Sequence, residues 1–78
     1  MGMRPNPSLV REAQALGAVL LDTTCRWGPP FAMLCPPTSS MKAVAQIAIT
    51  MVMACKNGIS WQQVDETPEG IRITMHPD

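Results

Sequence analysis

Cys25, Cys35, Cys55 and His76 are the side chains of this 78-residue sequence best suited to hold zinc or to form a nucleophile–base pair. A structural zinc site draws on paired ligands such as CxxC, because two thiolates on one tight turn already form half of the tetrahedron. Here the cysteines are ten and twenty residues apart and His76 stands near the end of the sequence. The spacing predicts buried thiols and neither metal nor cofactor. An odd number of cysteines, behind an N-terminus (MGMRPNPS) without an apolar signal region, points to a reducing, cytoplasmic setting.

Acid–base and nucleophilic catalysis fare no better. A nucleophile needs a base within hydrogen-bond reach and a group that orients the base. The lone histidine falls in a terminal strand, and the carboxylates Asp65, Glu66 and Glu69 gather at a turn with no opposing acid. Gly28, Gly58 and Gly70 are isolated turn glycines, so no phosphate-cradling loop exists. No catalytic residue is assigned, and the chain reads as a non-enzyme.

Charge narrows the partners. Six basic residues balance six acidic ones, and Arg4, Arg11, Arg26, Lys42, Lys56 and Arg72 are scattered. Nucleic-acid binding draws on a basic excess that neutralises phosphates, and the even balance of charge argues against it here. Only 15% of residues are charged, against about 25% in a typical domain, and so sparse a charge favours life in a complex or homo-oligomer. The longest uncharged apolar run, Ala43 to Cys55, falls short of the ~20 residues of a membrane span. The chain is therefore expected to be soluble, without membrane contact.

The elements that would position these residues follow from breakers and periodicity. Residues 1–7 carry two prolines and read as a flexible arm of a single domain spanning 1–78. Ser8 is the expected N-cap of a first helix with Leu9, Ala13 and Leu16 on one face, ending at Gly17. Residues 18–24 read as a strand, although Leu20 also continues the helical stripe and allows a longer helix through Asp22. Phe31–Cys35, fenced by proline pairs, reads as its hairpin partner. A long apolar helix follows over about 40–56, capped by Ser40 or Ser39 and closed by Asn57-Gly58. Thr67-Pro68-Glu69-Gly70 predicts a type I turn with a bulge, between Ile59–Glu66 and the alternating strand Ile71–His76. Ile59, Trp61 and Val64 do not share one parity, which predicts a bulge near Gln62-Gln63. The fold class is α+β: a two-layer domain in the order α-β-β-α-β-β, with an antiparallel four-stranded sheet and the long helix on one face.

That helix carries the main functional expectation. Lys42, Gln46 and Thr50 are spaced as one wet stripe, and on a helical wheel Ile49 and Met53 fall within it. Rimmed by Lys42, Gln46, Thr50 and Asn57, these two side chains form a candidate apolar spot for a partner or a second copy. Trp27 and Phe31, beside stiff prolines, either cap the core or anchor a partner. The sequence begins at a Met and shows no tag, so a complete small protein is expected. It reads as a non-catalytic protein-binding module: a small regulator, inhibitor or accessory subunit of a larger complex, of the kind that phages or mobile elements encode against bacterial defence complexes. The alternatives are a structural homodimer that packs the helix on its own copy, and a nucleic-acid-binding domain that uses the sheet face with Trp61 and Arg72 as a stacking platform.

Overall fold

The computed structural model describes residues 5–21, 31–55 and 59–77. Trp27, Cys25, Lys56, Asn57 and the expected hairpin tip lie outside them. Helix α1 (Pro7–Ala15) is followed by β1 (Val19–Leu20), β2 (Phe31–Cys35), α2 (Met41–Ala54), β3 (Ile59–Thr67) and β4 (Gly70–Pro77). The strands form one antiparallel sheet in the order β1-β2-β4-β3, so the α+β architecture and the element order are as the sequence predicts.

Helix α1 starts two residues earlier than expected. Asn6, not Ser8, is its N-cap: the Asn6 Oδ1 accepts from the Ser8 N–H at 2.9 Å, and Pro7 occupies the first turn. Asparagine is among the strongest N-caps, and proline loses nothing where its missing N–H would be unpaired anyway. The arm is thereby shortened, and the Asn6 N–H also donates to the Ala54 carbonyl at 3.0 Å, tying the start of α1 to the end of α2. At the other end the Gly17 N–H donates to Gln14 and the Ala18 N–H to Ala13, with Gly17 at φ +106°. These paired bonds close a Schellman cap and decide against the longer helix. Strand β1 is short, with Val19 opposite Leu34 and Leu20 opposite Met33, and the Leu21 N–H adds a bond to Ala32.

The sheet has one dry face. Phe31, Met33 and Cys35 of β2 lie beside Met75, Ile73 and Ile71 of β4 in register, and the two helices cover them. The most completely buried large side chains are Met33, Ile47, Met51, Ile73 and Met75. Three of the five are methionines, whose unbranched thioethers fill the irregular space between helix and sheet.

The C-terminal hairpin departs from expectation at both ends. Thr67 pairs directly with Gly70, leaving Pro68-Glu69 as a two-residue loop without a bulge. The irregularity sits between Ile59 and Trp61 rather than near Gln62-Gln63. The parity conflict in the sequence arises because Trp61 is not a core residue: it projects from the outer face, while Gln62 and Val64 share the inner one.

Candidate docking surface

Helix α2 starts at Ser40, whose Oγ accepts from the Ala43 N–H at 3.1 Å, and runs for 14 residues, shorter than the expected 40–56. Its periodicity divides it into four flanks. Val44, Ile47, Met51 and Ala54 face the core. The Ala54 and Thr50 side meets α1. The Ala48 side faces β3, where the Gln62 Nε2–H donates to the Ala48 carbonyl at 3.2 Å and also meets Met75 Sδ at 3.2 Å. The remaining outward stripe holds Lys42, Gln46, Ile49 and Met53, with Met41, Ala45 and Val52 beside it toward β3.

Ile49 and Met53 are each 53% exposed. Lys42 and Gln46 are exposed beside them. Thr50 is not: it is 4% exposed, and its hydroxyl donates to the Gln46 carbonyl at 2.8 Å. The expected wet stripe therefore loses one member. A threonine in a helix satisfies its hydroxyl on the preceding turn, which lets it turn inward toward α1. Phe31 is likewise corrected from candidate anchor to core residue, buried at 5% exposure in the row opposite Met75. Trp27 and Asn57, the other candidate partner-binding residues, lie outside the described residues.

A second constellation, which sequence reading split between elements, covers the outer sheet face. The Trp61 and His76 rings stack with centroids 3.9 Å apart and planes 10° from parallel. Gln63 lies next to them: its Oε1 meets His76 Nε2 at 2.9 Å, and its Nε2–H donates to the Asp65 carboxylate at 3.0 Å. With the amide so oriented, His76 Nε2 is the donor. Arg72 Nη2 closes the row 3.7 Å from Asp65, with the arginine side chain half exposed and the carboxylate about a third exposed, a solvent-screened pairing worth at most about 1 kcal/mol. The signal was present in the turn: a two-residue loop at Pro68-Glu69 fixes the register that sets Trp61 beside His76, and assuming a bulge at Gly70 shifts it.

This row orients an aromatic ring on the outer sheet face. His76 projects from the outer face, whereas Cys35 is buried on the inner one. Cys35 and Cys55 are free thiols, and burial pushes both above the ordinary thiol range, away from the nucleophilic thiolate. The Ser40, Thr50 and Thr67 hydroxyls bond main-chain groups. Among the described residues no group of three or more His, Cys, Asp or Glu is placed to hold a metal ion, and no helix is long and apolar enough to cross a membrane.

No protein-family model, curated protein or solved structure matches the chain.

Proposed function

We propose that this chain is a non-catalytic protein-binding module, a small regulator, inhibitor or accessory subunit that works in a reducing, cytoplasmic compartment by seating the outward stripe of α2 on another protein. The observation that carries the reading is the pair Ile49 and Met53, each 53% exposed near the middle and end of a capped helix. Large apolar side chains adjacent on one helical face, rimmed by Lys42 and Gln46, have the make-up of an interface centre with a polar rim. Methionine adds an adaptable surface that fits a partner with little loss on imperfect complementarity. Hydrophobic residues scattered singly need no explanation, but these two are one turn apart and share a ridge.

The reading is tested by comparing the wild-type chain with Met53→Asp in a capture experiment from its native host. The substitution places an anion in the last turn of α2 and is expected to cost about 1 kcal/mol while leaving the chain folded, and a protein retained by the wild-type chain in near-stoichiometric amount is expected to be lost. A folded Met53→Asp chain that retains the same proteins to the same extent contradicts it.

A further inference from the structure

Lys42, Gln46, Ile49 and Met53, the outward line of α2, are all exposed. They are spaced four, three and four residues apart. A run in that rhythm keeps to one narrow line for about three turns, and it is the seam along which a second helix seats its side chains. Ala43 and Ala45, which flank the line at its start, are small. They leave room for a neighbouring helix to come close.

The line is also graded. Its far end, Ile49 and Met53, is apolar, and its near end, Lys42, is cationic. Lys42 stands in the first turn of α2, where the positive end of the helix dipole disfavours a cation. That turn holds no acidic residue. Among the described residues the ion pair is that of Arg72 with Asp65, so no described carboxylate lies at ion-pair distance from Lys42. The lysine and the helix dipole both favour an anion, and they favour it at one end of the line only.

We propose that the occupant of this line is one helix of a different protein, packed antiparallel to α2, with apolar side chains over Ile49 and Met53 and an aspartate or glutamate near its C-terminal end beside Lys42. The inference rests on reading α2 as a docking surface and adds the chemistry of the partner. Antiparallel packing brings the negative end of the partner's dipole to the positive end of α2. A second copy does not match the line. Paired with itself in parallel along its whole length, Lys42 faces Lys42. Paired antiparallel, Lys42 falls on Met53 and Gln46 on Ile49. The first arrangement sets like charges together, and the second buries polar groups against apolar ones. An acidic, amphipathic helix from another chain meets neither penalty. About three turns of helix make a small interface, of the size used in transient recognition.

Placing p-benzoylphenylalanine at position 46 or 53 of the full chain, irradiating in the native host and mapping the adducts on the partner by peptide mass spectrometry tests it. Positions 46 and 53 are seven residues apart. On an antiparallel helix the site reached from 53 is expected about seven residues N-terminal to the site reached from 46, with an acidic residue within about one turn C-terminal of the latter. Lys42→Glu is expected to weaken binding of that purified protein about three- to ten-fold, and exchanging the partner's acidic residue for lysine is expected to restore it. Adducts that fall outside a helix, or in the opposite order, overturn the inference and leave α2 as a docking surface. So does a partner that is lost with Met53→Asp and held equally well by Lys42→Glu. Adducts confined to a second copy of this chain overturn it in favour of self-association. The absence of adducts from both positions overturns the inference together with the docking role of α2.

Discussion

At the scale of single residues, the described cysteines behave as core atoms. Cys35 is fully buried beside Ile71 in the β2–β4 ladder, and Cys55 is buried where α2 ends. Loss of hydration raises the pKa of each in the folded chain above the ordinary value of 9.0. The sign of the consequence follows. The unfolded chain releases its thiol protons first, so the folding free energy is unaffected below about pH 9 and declines as the pH rises through the folded-state values. A chain carrying Cys25→Ser, to leave only these two thiols, is expected to unfold at lower urea concentration at pH 10 than at pH 8. The double variant Cys35→Ala with Cys55→Ala in the same background is expected to lose that part of the pH dependence. An unchanged dependence in the double variant contradicts the assignment. Residue types alone indicated buried thiols. They could not indicate that Thr50 turns inward, because a hydroxyl reads as polar until its bond to the Gln46 carbonyl removes the cost of burial.

At the scale of elements, two glycines do different work. Gly17, at φ +106°, ends α1 in open space, with nothing near a prospective Cβ. Gly70, at φ +141°, opens β4 where the end of β2 passes so close that a Cβ would collide with the Cys35 carbonyl oxygen. Gly17→Ala therefore carries only the backbone penalty, about 1–2 kcal/mol. Gly70→Ala adds a clash with main chain that cannot rotate away, and about 3–5 kcal/mol is expected. Urea unfolding of the two variants measures the difference, and equal losses contradict the close approach. The turn composition made both glycines legible as element ends. Helix α2 was legible too, through its Ser40 cap and its run of mostly apolar residues free of prolines and glycines. The start of α1 is ambiguous in the sequence because two capping residues, Asn6 and Ser8, flank one proline, and only the proline's preference for the first turn distinguishes them. The register of the β3–β4 hairpin, and with it the Trp61–His76 stack, hung on whether Gly70 belonged to the loop or to the strand.

At the scale of the molecule, the helices lie on one face of the sheet and do not cover all of it. Helix α1 shields the Thr50 and Ala54 side of α2, the sheet shields the core side, and the outward stripe is left to water. A 78-residue chain has little material with which to wrap a central helix. The sequence shows which α2 positions are apolar. It does not show which flank α1 takes, since that depends on the main-chain bond from Asn6 to Ala54 and on the Schellman cap that ends α1 early. Phe31 was ambiguous for the same reason: an aromatic residue between prolines reads equally as anchor or core until β2 is placed in the middle of the sheet.

The most direct measurement places a photo-crosslinking amino acid at position 49 of the full chain, expressed in its native host, with position 11 on the exposed side of α1 as control. Irradiation is expected to give a discrete adduct with a different protein from position 49 and none from position 11. No adduct at position 49, or adducts equally from both positions, contradicts a docking role for α2.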